Sequence, residues 1–386
     1  MKEISFFGTL PPLKQNVYYC VPFLKALVKK TDVHFISIKK LYPEFLYPGG
    51  KLEDNTFEFN EKEYKNLDVK RIPTYANPLS WIYTGLKVRN KIFHIQWWGS
   101  LPLFPMFFTI AFITKIRGIK NIITVHNIQS HEKGGFLYRF LNNLLYNVSE
   151  HFIVHSLDNK KVFCEVFKIK EEDVSVIPMG IHDSYIQRKI SKEEARKELG
   201  FTKDDFIIFN FGSIREYKGV DVLIKAFAIA SKENKNAKLV IAGKPWIDFK
   251  EYEKLILDLN VKDKVHLFLD YVPMNKVESF YAACDLFVLP YKFFDAQSGP
   301  GNIALAFNKP IIVTNVGGLP DLVKDKEAVV EKDNFNEMGK IILKVSNDKN
   351  LLKKLEEDSK ELSEYFSWDS IADETIELYK KLSSVN

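Results

Sequence analysis

Two basic residues in the second half of the chain stand three positions apart and close to a predicted helix start. Arg215 and Lys218 lie in the run from Phe211 to Gly219, which follows a buried apolar stretch and precedes a helical pattern. A guanidinium and an ammonium beside a helix N-terminus can hold a diphosphate through charge-assisted hydrogen bonds and the helix dipole. A loop with solvated basic side chains fits the same spacing, so the spacing alone leaves both interpretations open.

A run of small residues lies at another strand-to-helix turn. Residues 295–302 read DAQSGPGN, and a helix is predicted from Ile303 to Phe307. Glycine and serine at such a turn let backbone N–H groups approach an anion closely, although a tight turn needs the same residues. The sequence contains no P-loop motif, and no Gly-x-Gly-x-x-Gly follows the first strand, so neither of those nucleotide sites is predicted.

Two histidines follow a predicted strand in the first half. His126 and His131 lie in the run from Thr124 to Glu132. A neutral imidazole there could hydrogen-bond a sugar hydroxyl or a phosphate, but a structural role in the loop is the alternative for each ring. The other six histidines have no metal-ligand spacing, and core or surface packing is expected for them.

The elements that position these residues repeat one pattern in both halves. Short runs rich in Ile, Val and Phe alternate with amphipathic stretches of helical period, which predicts βαβ units around parallel sheets. The runs are apolar almost throughout, as expected when helices cover both sheet faces. A boundary is predicted near Pro178 to Ile181, and two doubly wound sheets of this kind would bind ligands in a cleft between them.

Composition narrows the classes of function. With 386 residues, two domains are the expectation, and a net charge of +5 is too small to indicate nucleic-acid binding. Three distant cysteines without a Cys-x-x-Cys argue against a disulfide scaffold and a structural zinc site and favour a reducing compartment. Because Met1 to Gly8 already resembles a buried strand rather than a signal peptide, we expect a protein that is not exported.

Taken together, these motifs resemble the retaining glycosyltransferases of family four, the group 1 glycosyltransferases. The resemblance extends over nearly the whole chain. Besides the runs at 212–219 and 297–299, it rests on these segments: Val154 to Ser156, Val176 to Gly180, Tyr281 to Pro290, Lys309 to Asp321 and the last helix from Trp368 to about Leu382. The sequence is most similar to a subgroup with Gly-x-Ile-Arg-x-Tyr-Lys-Gly and Gln-Ser-Gly motifs.

The resemblance implies an α/β protein of the GT-B fold, with two Rossmann-like domains that face a central cleft. Residues 1–182, joined by the C-terminal helix 368–386, would form the acceptor-side domain. Residues 183–367 would bind the donor, a nucleoside-diphosphate sugar such as a UDP- or GDP-sugar. The implied activity is transfer of a hexose-type sugar to a glycan or lipid-linked acceptor in polysaccharide or glycoconjugate assembly.

Site residues follow from the resemblance position by position. Arg215 and Lys218 match the basic pair on the donor diphosphate, and His126 matches the histidine near the transferred sugar. These two roles, with Asp295, make up the implied catalytic set. The implied donor contacts are Gly8, Thr9, Ser213, Tyr271, Ser298, Gly299 and Pro300. Asn127, His131 and Glu132 are secondary candidates on the acceptor side.

Two consequences concern the chemistry. Fixed cations and oriented N–H groups can stabilise the charge on a departing diphosphate, so neither a metal nor another cofactor is expected, and the sequence has no Asp-x-Asp motif. The family's usual Glu-x7-Glu is altered: Asp295 stands at the first glutamate and Ile303 at the second. An isoleucine cannot accept hydrogen bonds from a ribose, which leaves the ribose contact and the role of Asp295 open.

An aromatic segment from Trp97 to Thr114 has two interpretations. It is too short and too rich in proline to span a membrane. It could be a buried helix, or it could lie at a membrane interface with its tryptophans at the headgroup level and Lys115 and Arg117 beside them. Both could hold together, with one face on the sheet and one face on lipid. The expected location is therefore the cytoplasm or the inner face of the membrane, with a lipid-linked acceptor as one reason for peripheral contact.

Two other functions are compatible with these residues. A decayed, non-catalytic scaffold that binds nucleotide-sugars or glycans would explain Ile303, although it has no need for a complete diphosphate site. A nucleotide-sugar epimerase on the same fold would need the diphosphate site but no acceptor. Donor hydrolysis or transfer separates the scaffold from the enzymes, and free nucleoside diphosphate with an isomerised sugar would indicate the epimerase.

Overall fold

The computed structural model describes residues 3–43, 52–53, 59–128, 135–294 and 298–384. The chain forms two compact units, one of Met1–Gly180 with Trp368–Asn386 and one of Ile181–Ser367. The sequence placed the division after residue 182, two residues later. Each unit is built around its own parallel sheet, and each is described separately.

The first unit contains seven strands and six helices in its described part. The strands are β1 (Glu3–Gly8), β2 (Asp32–Ser37), β3 (Leu67–Arg71), β4 (Ile92–Trp97), β5 (Lys120–Val125), β6 (His151–Val154) and β7 (Val174–Val176). The helices are α1 (Val17–Leu27), α2 (Pro78–Lys87), α3 (Phe104–Ile116), α4 (Phe136–Asn147), α5 (Leu157–Phe167) and, from the end of the chain, α13 (Trp368–Ser384).

All strands of the first sheet are parallel, in the order β3-β2-β1-β4-β5-β6-β7. The direction of the crossovers reverses between β1 and β4. Since parallel βαβ crossovers are right-handed, α1 covers one face of the sheet and α2 to α5 cover the other. The helix α13 packs beside α1. The loops after β1 and β4 diverge at the reversal, which is where this type of sheet binds ligands.

The second unit contains six strands and seven helices in its described part. The strands are β8 (Phe206–Phe211), β9 (Ala237–Ala242), β10 (Val265–Phe268), β11 (Leu286–Leu289), β12 (Ile311–Thr314) and β13 (Val329–Val330). The helices are α6 (Lys192–Leu199), α7 (Val220–Glu233), α8 (Lys250–Asp258), α9 (Met274–Ala283), α10 (Gly299–Ala306), α11 (Phe335–Asn347) and α12 (Lys349–Tyr365).

The second sheet is also parallel, in the order β10-β9-β8-β11-β12-β13, so the reversal falls between β8 and β11. Separate apolar cores lie on its two faces, one around α7 and α11 and the other around α9 and α10. Both units are therefore built from βαβ units around a parallel sheet, as the alternating pattern in the sequence predicted.

The sequence missed β3 and misplaced the start of α10. The strand β3 carries charged side chains and is partly exposed, because it lies at the edge of the first sheet. The helix α10 begins at Gly299, four residues before the predicted start, and Ser298 is its N-cap. Proline is well tolerated in the first turn of a helix, so a Gly-Pro-Gly sequence need not indicate a turn.

The interfacial interpretation of Trp97 and Trp98 is wrong, because both side chains are buried. The indole of Trp97 packs against Phe107 and donates a hydrogen bond of 2.7 Å from Nε1 to Oδ1 of Asn142 on α4. The helix α3 thus packs one face on the sheet, as the alternative interpretation predicted. No helix in the described part of the chain is both long and apolar enough to cross a membrane.

Gly219 is required by both conformation and space. Its φ is +64°, and a Cβ atom placed on it would lie 1.9 Å from the carbonyl oxygen of Pro290. Gly200 has a similar φ of +80°, but no described atom lies within 4 Å of a Cβ atom placed there. The two positions separate the cost of a left-handed backbone from the cost of a steric clash.

We expect Gly219→Ala to lower the free energy of unfolding by more than Gly200→Ala does. The left-handed backbone costs about 1–2 kcal/mol in each variant, and overpacking against Pro290 adds about 1–3 kcal/mol only in Gly219→Ala. Urea unfolding followed by circular dichroism measures both. Equal losses in the two variants would show that the loop at Gly219 relaxes without cost.

Candidate functional site

Lys218 is a charged side chain held inside the second unit. It ends a short turn after β8, and only 9% of the residue is exposed. Its ammonium donates a hydrogen bond to the hydroxyl of Tyr291, and its Nζ lies 4.2 Å from the centroid of that ring. Burial, together with the positive charge of Arg215, lowers the pKa of Lys218 to about 8. A cation desolvated in this way gains most from an arriving anion.

Arg215 presents the second positive charge on the surface. The guanidinium Cζ lies 4.5 Å from the ring centroid of Trp246, whose side chain is 65% exposed. Backbone hydrogen bonds from Ile214 N to Lys244 O and from Trp246 N to Ile214 O join the loops after β8 and β9. This pairing fixes the position of Trp246 beside Arg215. Sequence reasoning missed Trp246, which lies in the loop after the buried strand β9.

Ser298 and Gly299 form the third part of the site. The buried Ser298 Oγ accepts a hydrogen bond of 3.2 Å from Gly301 N and lies 3.4 Å from the Tyr291 hydroxyl. Pro300 has no N–H, and Asn302 N donates to Ser298 O. The amides of Ser298 and Gly299 carry no hydrogen bond among the described residues. These two N–H groups can therefore donate to an anion at the start of α10.

Gly212 brings these parts together. A Cβ atom placed on Gly212 would lie 3.7 Å from Lys218 Nζ and 3.3 Å from Pro300 Cγ. The loops that carry Lys218 and Pro300 follow β8 and β11, the two strands at the reversal of the sheet. Ser213 is exposed beside Gly212. In the structure, Lys218 and Pro300 both lie next to Gly212. The sequence analysis had assigned these two residues to one site, together with Arg215, Ser298 and Gly299.

His182 is a residue of this region that the sequence analysis assigned to packing. Its Nε2 would lie 3.8 Å from a Cβ atom placed on Gly299. Burial lowers the pKa of His182 to about 4, so the ring is neutral at pH 7. Tyr271, in contrast, is highly exposed after β10, and no hydrogen bond or ring contact of the described structure joins it to Arg215 or Lys218.

Of the two positions where the family usually has a glutamate, the structure describes only the second, Ile303. Ile303 is buried in the core around α9 and α10 and does not reach the surface. Asn302, its neighbour, is also buried, and its Nδ2 has no hydrogen-bond partner in the part of the chain that the structure describes. Asp295 lies outside the described residues, so its predicted role is untouched by the structure.

In the first unit, Gly8 and Thr9 shape the loop after β1. A Cβ atom placed on Gly8 would lie 2.8 Å from Cys20 Sγ, so this position has no room for a side chain. Thr9 is fully buried, and its hydroxyl donates to the carbonyl oxygen of Gln15. The hydroxyl therefore holds the loop that leads to Asn16, and the donor contacts of Gly8 and Thr9 stay predictions.

His126 belongs to a hydrogen-bonded network. Its Nδ1 lies 3.2 Å from His155 Nε2, and its Nε2 lies 2.8 Å from Gln96 Oε1 and 3.2 Å from Asn16 Nδ2. Nδ1 of His155 is 3.0 Å from the carbonyl oxygen of Ile177, which can only accept. The proton of His155 therefore sits on Nδ1, which leaves its Nε2 to accept from Nδ1–H of His126.

The hydrogen bonds and the burial of His126 together determine its protonation state and its tautomer. Burial, with smaller contributions from His155 and His94, lowers the pKa of His126 well below its usual value. The neutral ring with its proton on Nδ1 has a lone pair on Nε2, which accepts from the amide of Asn16. Gln96 can satisfy the same lone pair only with its NH2 group, so we assign its amide nitrogen to the side of His126.

Of the three secondary candidates on the acceptor side, the structure describes only Asn127. The Asn127 side chain donates a hydrogen bond of 3.0 Å from Nδ2 to the carbonyl oxygen of Trp98, which ties together the loops after β4 and β5. Its contact is thus with the main chain. His131 and Glu132 lie outside the described residues. Among the residues that the structure does describe, no group of three or more potential metal ligands comes together.

Comparisons with known proteins agree with this architecture. Residues 191–362 match the family described as "Glycosyl transferases group 1". An uncharacterized glycosyltransferase of Methanocaldococcus jannaschii, MJ1607, is 31% identical over 375 residues, covering 89% of this chain and 93% of that protein. Together with the structural neighbours described next, this match identifies the fold as GT-B, with two Rossmann-like domains, as the resemblance implied.

Solved structures are similar over nearly the full length. HepE of Anabaena in complex with UDP has a TM-score of 0.71 at 16% identity, covering 99% of this chain and 100% of that one. HepE in complex with UDP-glucose gives a TM-score of 0.67, also at 16% identity, and the same coverage. Sucrose-phosphate synthase from Thermosynechococcus elongatus has a TM-score of 0.66 at 17% identity, with 100% of both chains covered.

The network around His126 predicts how the buried rings titrate. We expect His126 to remain neutral at pH 6, with its proton on Nδ1, because its folded pKa lies well below the unfolded value near 6.5. Imidazole nitrogen shifts of ¹⁵N-histidine-labelled protein report both protonation and tautomer, and His126→Gln assigns the signal. Titration of His126 near pH 6.5 would contradict the network.

A matched pair of variants tests the part played by His155. His155→Phe removes the acceptor for Nδ1–H of His126, and we expect the tautomer population of His126 to change. In His155→Gln, an amide oxygen can accept from the same N–H, so the original tautomer should persist.

Proposed function

The chain belongs to the group 1 glycosyltransferases, and on that premise we propose that it moves a hexose-type sugar from a nucleoside-diphosphate sugar to a glycan or lipid-linked acceptor, with retention of configuration. The observation that carries the proposal is the buried ammonium of Lys218, which lies beside Arg215 and near the start of α10 at the reversal of the second sheet.

The second unit is the proposed donor site. Two positive charges and the amides of Ser298 and Gly299 match the diphosphate of a nucleotide-sugar, in which each phosphate carries one negative charge shared by its two non-bridging oxygens. HepE, a protein of the same fold, was solved with UDP and with UDP-glucose, which supports a UDP-sugar as the first donor to test. A GDP-sugar is the second, because these charges recognise the diphosphate and not the base.

The proposed chemistry needs no resident cofactor. As the bond between the sugar's anomeric carbon and the diphosphate oxygen breaks, its electron pair goes to the leaving diphosphate. Lys218 and Arg215 stabilise that charge from fixed positions. The leaving phosphate can then accept the proton of the acceptor hydroxyl, while the acceptor oxygen bonds to the anomeric carbon on the same face. No side chain of the protein has to act as a nucleophile in this scheme.

The proposed role of His126 follows from its tautomer. A sugar hydroxyl could donate to Nε2 only by replacing Asn16 or Gln96 there. Asn16 is the simpler partner to displace, because it is the N-cap of α1 in a left-handed conformation and makes no side-chain capping bond. The acceptor is assigned to the first unit, and the contacts of Asp295, His131, Glu132 and Tyr271 remain proposals that rest on the resemblance.

A ligand screen with product analysis separates the proposed transferase from a scaffold and an epimerase. UDP-, GDP- and ADP-sugars are added to the full chain in a thermal-shift assay. A donor at 100 times its Kd should stabilise the protein by about 2.7 kcal/mol. Stabilisation without turnover would indicate the scaffold. Release of nucleoside diphosphate with an isomerised sugar and no acceptor would indicate the epimerase, and transfer to an acceptor supports the proposal.

We expect Arg215→Ala and Lys218→Ala each to lower kcat/KM by a factor that corresponds to about 2–4 kcal/mol of transition-state stabilisation, because each removes a fixed positive charge from the leaving diphosphate. Lys232→Ala is the matched control, since Lys232 is an exposed lysine at the far end of α7. Steady-state transfer rates measure the effect. Wild-type rates in both site variants would place the donor elsewhere.

Metal independence is tested by chelation. We expect transfer to continue at an unchanged rate in excess EDTA, because the proposed site stabilises the diphosphate with Arg215, Lys218 and backbone amides. The measurement is the initial rate before and after dialysis against EDTA. Loss of activity that manganese or magnesium restores would refute a metal-independent mechanism.

A further inference from the structure

A long stretch of the first unit contains no carboxylate. Between Asp68 and Glu132, residues 69–131 include no Asp or Glu but eight Lys and Arg residues. The whole chain has 50 acidic residues among 386, so a stretch of 63 residues would ordinarily hold about eight. This stretch includes α2 and α3, and no acidic residue occurs in either helix.

The same stretch exposes large apolar side chains. Seven of the sixteen exposed large hydrophobic residues in the described part of the chain lie in this stretch, between positions 79 and 116. Six of them form what is called the apolar face below: Leu79, Ile82, Tyr83 and Leu86 of α2, with Phe112 and Ile116 of α3. Leu79, Leu86 and Ile116 are 74%, 56% and 69% exposed.

Close packing of α2 on α3 makes these side chains one surface. A Cβ atom placed on Gly85 would lie 2.8 Å from Ile113, so the two helices approach closely at this glycine. Leu86 follows Gly85, and Ile116 lies one turn beyond Ile113. Arg117 Nη1 at the end of α3 donates to the carbonyl oxygens of Gly85 and Val88, which ties the two helix ends together.

The charges next to the apolar face are positive. The two described acceptors of Arg117 are carbonyl oxygens, which leave its charge uncancelled. Lys87 is exposed at the end of α2, with Nζ 5.2 Å from the ring centroid of Tyr83. Lys115 is different, because Glu150 pairs with it. Lys87 and Arg117 therefore give the apolar face a basic border.

We propose that the apolar face docks on an anionic lipid bilayer. Exposed apolar side chains can enter the headgroup region, while Lys87 and Arg117 meet lipid phosphates. A second copy of this chain is a poorer occupant, since a two-fold interface through this face would bring two basic borders together, with no acidic residue of α2 or α3 to pair with them. The apolar face shares only Phe112 with the segment from Trp97 to Thr114, because the two tryptophans of that segment are buried.

The inference rests on the proposed function only for its purpose, which is to bring a lipid-linked acceptor within reach of the enzyme. Its evidence is independent of the donor site. If the protein binds a donor but no bilayer, only the docking proposal fails, and transfer to a water-soluble acceptor is still expected. If the protein binds a bilayer but no donor, only the proposed function fails.

Sedimentation of the full chain with vesicles tests the proposal. The vesicles are phosphatidylcholine alone or phosphatidylcholine with phosphatidylglycerol. We expect binding to the anionic vesicles that weakens as salt rises. Leu86→Ser with Ile116→Ser should lower the apparent affinity about tenfold or more. The matched control is Leu157→Ser with Leu257→Ser, two exposed leucines outside the apolar face, and it should bind like the wild type.

A charge variant tests the basic border. Lys87→Gln should weaken binding to anionic vesicles about fivefold, the equivalent of about 1 kcal/mol for one basic residue at such a surface, while Lys232→Gln should not. Unchanged melting temperatures show that each variant is folded, and thermal shifts with UDP report the donor site separately from vesicle binding.

Three outcomes would overturn the proposal. The first is no binding of the wild type to anionic vesicles at low salt, and the second is equal binding by the Leu86/Ile116 double variant. The third is concentration-dependent self-association of the wild type, by light scattering, that the double variant loses, which would assign the apolar face to a second copy of the chain.

Discussion

The second unit is organised around one positive charge that is kept away from water. An ammonium is costly to bury unless hydrogen bonds or opposite charges compensate for its lost hydration. In the described structure, Lys218 is compensated by a neutral hydroxyl and an aromatic ring of Tyr291, and its pKa falls to about 8. Gly212 has no side chain and so leaves room beside the Lys218 ammonium. Gly219, in a left-handed conformation, lets the chain pass close to Pro290, the residue before Tyr291. Because little water screens this charge, an anion bound there interacts with it strongly.

Parallel sheets explain why the site residues come from distant parts of the sequence. In each unit the strand order reverses once, and the loops on either side of the reversal diverge at the carboxyl ends of the strands. Lys218 and Ser298 are 80 positions apart, yet both contact Tyr291. In the first unit, Asn16 and Gln96 approach His126 in the same way. The network ends at a main-chain carbonyl of Ile177, so the tautomer of a loop histidine depends on the strand β7 and the residue that follows it.

The sequence predicted most strands because the interior of a parallel sheet needs unbroken apolar runs, such as those of β8 and β11. Arg215, Lys218 and Ser298 could be proposed because they lie in short local motifs that resemble those of a known family, since their spacing alone left two interpretations open. Other features depend on long-range contacts that no local pattern contains. The buried indole nitrogen of Trp97 has its hydrogen-bond acceptor in Asn142, which lies 45 positions further along the chain. Trp246 lies beside Arg215 because backbone hydrogen bonds join the loops after β8 and β9. His182 lies near Gly299 although 117 positions separate them.

The edge strand β3 has a consequence for the behaviour of the protein at high concentration. An edge strand offers unpaired N–H and C=O groups to any other strand, and flat apolar edges are common starting points for aggregation. In β3, Asp68, Lys70 and Arg71 interrupt such a surface, and Asp68 and Arg71 form ion pairs with Arg89 and Glu61. Another strand that paired with this edge would have to approach these charged side chains, which favours the monomeric sheet. The irregular pattern that hid β3 from sequence analysis is therefore also the pattern that protects it.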